Sequence, residues 1–169
     1  MTSKYTIIIL MGVSGTGKST IGHLLSDQLD IPFFDGDDFH PKANIDKMSN
    51  GIPLDDHDRE GWLIRLNELA VEHKLHGAII ACSALKKTYR KLLRNKIEGQ
   101  MAFIHLTGSF DLIKSRLEKR KSHYMTSALL QSQFDTLETP ASALEVSITS
   151  GPEEIVAKIL EYLASNNNQ

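Results

Sequence analysis

Short apolar runs alternate along this chain with segments whose apolar residues recur every three or four positions. Tyr5-Thr-Ile-Ile-Ile-Leu-Met11 is a β-branched run closed by glycine, and it predicts a strand buried on both faces. Ile21, Leu24, Leu25 and Leu29 follow at helical spacing. Ile31-Pro-Phe-Phe34 reads as a second strand, closed by the acidic cluster Asp35-Gly-Asp-Asp38. Residues 40–54 are polar and punctuated by Pro41, Gly51 and Pro53, with a short helix around Ile45 and Met48. Trp62, Leu63, Leu66, Leu69, Ala70 and His73 mark an amphipathic helix, and Gly77-Ala-Ile-Ile-Ala-Cys82 a third strand. Leu85, Tyr89, Leu92, Leu93 and Ile97 give the next helix, Met101 to Leu106 a fourth strand, and Phe110 to Arg120 a helix. A polar stretch, 121–126, precedes a helix running to about Leu137. Leu144 to Ile148 is a weaker fifth strand, and Pro152 opens a last helix with the stripe Ile155, Val156, Ile159, Leu160 and Leu163.

Strands alternating with helices predict an α/β fold, with a parallel sheet covered on both faces. No repeat or linker divides the 169 residues, so 1–169 is read as one domain. The formal charge of −2 gives no global pull toward nucleic acid or an anionic membrane, and neither is expected as a partner. The apolar run Ile7–Met11 is far short of the roughly 20 residues of a membrane helix. The lone Cys82 offers no intrachain disulfide and no cysteine metal cluster, which makes the cytoplasm the expected compartment.

The segment Gly12-Val13-Ser14-Gly15-Thr16-Gly17-Lys18-Ser19 fits G-x-x-x-x-G-K-[ST] in full, between a strand and a helix. Glycines let successive backbone N–H groups converge on one concavity, and the helix start adds its free amides and positive end. Lys18 is placed for the β- and γ-phosphates and Ser19 for Mg²⁺, and Thr20 is counted with the loop among the phosphate-binding residues. A phosphate loop leaves open a small-molecule kinase, a GTPase-type switch or an ATP-driven module. The guanine-reading Asn-Lys-x-Asp pattern is met only by Asn95-Lys-Ile-Glu98, at a helix end and with Glu in the last place.

The acidic turn follows the second strand, and parallel strands deliver their ends to the side of the sheet where ligands bind. Three carboxylates there repel one another unless a cation or a hydroxyl offsets them. Mg²⁺ would do so, and a carboxylate could also take the proton of an attacking hydroxyl. The competing reading is a solvated Asx-type turn.

Several blocks go beyond these motifs: Asp35-Gly-Asp-Asp-Phe-His-Pro41, Asn44-Ile-Asp-Lys-Met48, Gly51-Ile-Pro-Leu54, Asp56-His-Asp-Arg59 with Trp62, Cys82-Ser-Ala-Leu-Lys-Lys87 with Tyr89-Arg90, His105-Leu-Thr-Gly108, Arg116 and Arg120, and Gln133-Phe134. In these blocks the chain, over residues 5 to 165, resembles the bacterial-type gluconokinases, small P-loop kinases related to shikimate kinase and adenylate kinase. The resemblance implies a P-loop NTPase three-layer fold with a five-stranded parallel sheet of order 2-3-1-4-5. It also implies a mobile lid, placed at about 121–126, a substrate-binding segment at about 38–62, and a homodimer. The implied reaction is transfer of phosphate from ATP to the 6-hydroxyl of D-gluconate, with Mg²⁺.

By the same resemblance Asp35 serves Mg²⁺ through a water, and Asp37 orients the acceptor hydroxyl and takes its proton, with Asp38 as competitor. An extended backbone would put Asp35 and Asp37 on one side. Arg120 is expected at the transferring phosphate and Arg116 at adenine or phosphate. The sugar-acid carboxylate needs a cation, for which Arg59, Lys86 and Arg90 are candidates. His40 is a candidate hydrogen-bonding residue for the substrate, and His57 reads as surface. Cys82 reads as a small buried residue without a thiol role. A kinase for another hydroxylated acid, and a nucleotide-binding regulatory module without catalysis, are the alternatives.

Overall fold

A computed structural model describes residues 4–120 and 125–166 of the protein. The strands are β1 (Ile7–Met11), β2 (Phe33–Asp35), β3 (Ala78–Ala81), β4 (Met101–Thr107) and β5 (Leu144–Ser147). The helices are α1 (Lys18–Leu29), α2 (Lys42–Ser49), α3 (Asp56–Glu72), α4 (Lys87–Leu93), α5 (Phe110–Glu118), α6 (Ser127–Thr136) and α7 (Pro152–Ser165), with a 3₁₀ turn at Gly36–Phe39.

All strand pairs are parallel and the order is β2-β3-β1-β4-β5. β1 is central, and every one of its residues is buried, as its unbroken apolar run requires. α1 packs on β3 and on α7, while α3 packs on β3 and on α4, so that helices cover both faces. At the β5 edge only Val146 is buried within the strand, which accounts for its weak apolar signal. Among the described residues no helix is long and apolar enough to cross a membrane.

Two local differences from the sequence reading bear on the site. α3 starts six residues before Trp62, because Asp55 and Asp58 form a reciprocal capping box: the Asp55 carboxylate accepts from the Asp58 N–H and the Asp58 carboxylate from the Asp55 N–H. The backbone after β2 is not extended. Asp35 caps the 3₁₀ turn, accepting the Asp37 N–H at 3.0 Å, so the two carboxylates stand on a turn instead of on one side of an extended strand.

Candidate functional site

A cleft of about 480 Å³ opens at the carboxyl ends of β1, β2 and β3, where a parallel sheet places its ligands. Ser14 and Lys18 line it from the phosphate loop, Asp35, Asp37 and Asp38 from the acidic turn, and Ala81, Cys82 and Ser83 from the end of β3. His40, Arg59 and Trp62 form the wall beyond, and Arg120, Leu129 and Gln133 close the opposite side.

The phosphate loop is built around its own backbone. Gly15 has φ +85°, and a Cβ there would meet Leu117 Cγ at 2.9 Å, so glycine is required for conformation and space alike. Val13 and Thr16 are buried, and the Thr16 hydroxyl donates to Val13 O at 3.1 Å, so both act through backbone. Gly17 caps α1 without any side-chain acceptor, which leaves the first amides of the helix free for an anion. The Ser14 amide donates to Gln133 Oε1 at 2.7 Å. Lys18 Nζ donates to Gly12 O at 3.0 Å and Val13 O at 2.9 Å, and an ammonium has a third hydrogen to offer a phosphate. Burial lowers the Lys18 pKa, and Asp37 pulls hardest in the other direction.

The Ser19 hydroxyl donates to Asp35 Oδ2 at 2.9 Å. This hydroxyl–carboxylate pair is an all-oxygen donor set beside the phosphate loop, which suits a Mg²⁺ that keeps waters and phosphate oxygens as its other ligands. Asp37 projects into the open cleft but lies among protein atoms that raise its pKa, against the opposing charge of Lys18. The Cys82 thiol is pushed up to about 12 by burial and stays protonated.

The far wall carries a buried cation. Arg59 is 7% exposed and lines the cleft. Its Nη1 donates to Tyr89 Oη at 3.1 Å, and the Tyr89 hydroxyl donates in turn to Asp56, which also accepts from Lys86 Nζ at 2.9 Å. Among the described residues no carboxylate lies within ion-pair distance of Arg59. His40 stacks on Trp62 with ring centroids 4.1 Å apart, and Trp62 Nε1 donates to Gly36 O at 2.7 Å.

The shikimate kinase family model matches residues 14–164. The thermoresistant gluconokinase of Escherichia coli (strain K12) is 44% identical, over 93% of this chain and 93% of that protein. The gluconokinase of Arabidopsis thaliana is 41% identical, over 96% and 94%. The chain belongs to the gluconokinase family. A crystal structure of a gluconokinase from Sinorhizobium meliloti 1021 superposes with TM-score 0.88 at 38% identity, covering 99% of this chain and 96% of that one.

Against this gluconokinase-family frame the expected site residues divide. Lys18, Asp35, Asp37, His40, Arg59 and Arg120 meet in one cleft, with Ser19 beside Asp35. Thr20 is exposed on the first turn of α1 and does not line the cleft. Three expected cations are not among the residues that line it. Arg90 is buried in a structural role, its Nη1 donating to Ala84 O at 2.7 Å and its Nη2 to Glu138 O at 2.9 Å. Lys86 stands one layer behind Arg59, on Asp56. Arg116 donates to Ile148 O at 2.9 Å, tying α5 to the end of β5. Of the expected lid, residues 121–124 lie outside the described residues, while Met125 lines the cleft and Thr126 caps α6.

The structure brings in several residues with no role in the sequence-based expectation. Leu129, Ser132 and Gln133 of α6 line the cleft, and their i, i+3, i+4 spacing marks a common face. Asn44, Tyr89 and Asp56 act behind the wall, and nothing in their local pattern signals it.

Proposed function

We propose that the protein is a gluconokinase, transferring the γ-phosphoryl group of ATP to the 6-hydroxyl of D-gluconate to give 6-phospho-D-gluconate and ADP. Arg59 carries this reading. A cation buried in a cleft wall without a carboxylate partner is costly unless the ligand supplies the charge. The carboxylate of a sugar acid does so, while the phosphate loop at the other end of the cleft holds the nucleotide.

Phosphoryl transfer depends mostly on alignment and charge stabilisation. The loop amides, the start of α1 and the third hydrogen of Lys18 receive the phosphates. Ser19 and Asp35 would hold Mg²⁺, which when bound neutralises phosphate charge. Asp37 accepts the hydrogen bond of the 6-hydroxyl and takes its proton, and its raised pKa suits it to that task. Arg120 faces the transferring phosphate. Arg116, Lys86 and Arg90 support α5 and the Arg59 wall without touching substrate. We place the enzyme in the cytoplasm on its single cysteine, and as a homodimer on the family resemblance.

The test is turnover of the purified protein with D-gluconate, D-glucose, shikimate and AMP, read as ADP release. Glucose keeps the hydroxyl but leaves Arg59 unpaired, so its kcat/KM should fall on the order of a hundredfold or more below that of gluconate. Comparable values for the two would overturn the reading.

A further inference from the structure

His40 stands at the meeting point of three elements, and each restricts it. Trp62 of α3 stacks under the ring at an interplanar angle of 16°, fixing its plane. The side chain is only 4% exposed, yet it lines the cleft. On one edge of the ring, Asn44 Nδ2 lies 3.2 Å from His40 Nδ1. On the other, His40 Nε2 faces Asp37 Oδ1 at 3.9 Å.

Asn44 decides the chemistry of that ring. It is 2% exposed, and its Nδ2 donates to Asp58 O at 2.9 Å. A backbone carbonyl can only accept, so the atom facing it must be the amide nitrogen and not the amide oxygen. The same NH₂ group faces His40 Nδ1, which must then be the acceptor. An imidazole that accepts at Nδ1 carries its proton on Nε2.

We propose that Asn44 is a positioning residue that locks His40 as the neutral Nε2–H tautomer, making it an obligate hydrogen-bond donor to a hydroxyl of the acceptor substrate held between His40 Nε2 and Asp37. The 3.9 Å separation is too long for a direct hydrogen bond, and a hydroxyl oxygen fits within bonding distance of both atoms. Such a hydroxyl accepts from His40 and donates to Asp37, so its orientation is fixed at both ends. This rests on the gluconokinase reading for the identity of the acceptor, but the tautomer does not.

The surrounding charges agree with a neutral ring. Burial, helped by Arg59 of α3, lowers the His40 pKa to about 4, and Asp35 at the end of β2 pulls weakly the other way. Asp37 faces Nε2 from the 3₁₀ turn, and Asp58 presents its backbone carbonyl to Asn44 while its carboxylate is engaged by Lys47 of α2.

Nitrogen-15 NMR of the imidazole rings in the ligand-free full-length protein tests the first half. His40 should show a protonated Nε2 and a bare Nδ1, unchanged between about pH 5.5 and 8. A protonated Nδ1, or a titration inside that window, overturns the proposal while leaving gluconate turnover untouched. The second half uses Asn44→Asp, whose carboxylate can only accept and so calls for a proton on Nδ1. In this variant His40 should gain the Nδ1 proton and titrate within the window. KM for gluconate should rise about tenfold or more, with KM for ATP within about twofold. A merely structural role for Asn44 would lower thermal stability with the wild-type tautomer retained, and that result, or a switched tautomer with wild-type gluconate KM, overturns the proposal. Should Asn44→Asp not fold, His40→Gln against His40→Asn decides. Gln presents an NH₂ near the Nε2 position and should keep several-fold more kcat/KM for gluconate than Asn, and equal loss overturns the proposal.

Discussion

Arg59 and Lys86 show how differently two cations of one sequence block are used. Arg59 reaches the cleft with its charge unmatched by any described carboxylate, while Lys86 is matched by Asp56 and held behind it. Arg59→Ala should therefore raise KM for gluconate by about 10- to 100-fold with KM for ATP little changed, as expected for loss of a charged hydrogen-bond donor. Lys86→Ala should cost several-fold at most. Steady-state kinetics of the pair checks this, and equal effects would contradict the layered arrangement. Asp37 and Asp38 share the acidic turn, but only Asp37 lies close enough to Lys18 to be its main carboxylate influence. Asp37→Asn should lower kcat by up to about 10²–10⁴-fold. The wild-type acid limb of kcat should sit above the ordinary carboxylate value, because the protein atoms around the cleft favour the protonated form of Asp37 more than Lys18 opposes it. Should Asp38→Asn be the inactive variant instead, the acceptor role moves one residue along.

At the scale of the elements, the acidic turn is held from below by close approach. A Cβ on Gly36 would stand 2.3 Å from Ala81 O, a backbone atom of β3 that cannot step aside. The Gly36 carbonyl meanwhile accepts from Trp62, which stacks on His40. Gly36→Ala should thus lower kcat and, through the roughly 1–3 kcal/mol of stability that overpacking costs, the melting temperature as well. Calorimetry beside an activity assay reads both, and an unchanged melting temperature would show that the turn has slack. The strand–helix alternation, the phosphate loop and the acidic cluster were all legible in the sequence, because each is a local pattern. The conformation of residues 36–39 was not, since an Asp-Gly-Asp-Asp segment fits an extended chain and a 3₁₀ turn equally well. Nor was the start of α3, whose first turns are polar and announced only by the Asp55/Asp58 pair. The fate of Lys86, Arg90 and Arg116 was illegible for another reason. A sequence shows a charge, but the Asp56 carboxylate and the Ala84, Glu138 and Ile148 carbonyls that absorb these three come from distant positions.

For the whole molecule, the histidines set the acid limit. His40 and His105 are both held neutral by burial, so their pKa values lie below the ordinary 6.5, His40 at about 4. Below pH 6.5 the unfolded chain binds protons that the fold refuses, and stability must fall as pH drops from about 6.5 toward 4. Asp37 works in the opposite sense, since its raised pKa lets the fold take up a proton more readily than the unfolded chain, but only nearer the carboxylate range. The melting temperature should accordingly decline between pH 6.5 and 4.5, before the carboxylates titrate. A midpoint that stays flat to pH 4.5 would show these histidines to be protonated in the fold.

The central place of β1 has a consequence for how the protein is made. Its hydrogen-bonding neighbours are β3 and β4, strands that begin at Ala78 and Met101. On a ribosome adding about 5–20 residues per second, β1 waits several seconds for both partners. Through that interval Ile7–Met11 is a nascent apolar strand with two open edges, the kind of segment that nascent chains bury late and that holdase chaperones bind. The phosphate loop hangs from the end of β1, so nucleotide can assist folding of this enzyme only after β4 has emerged to pair with that strand.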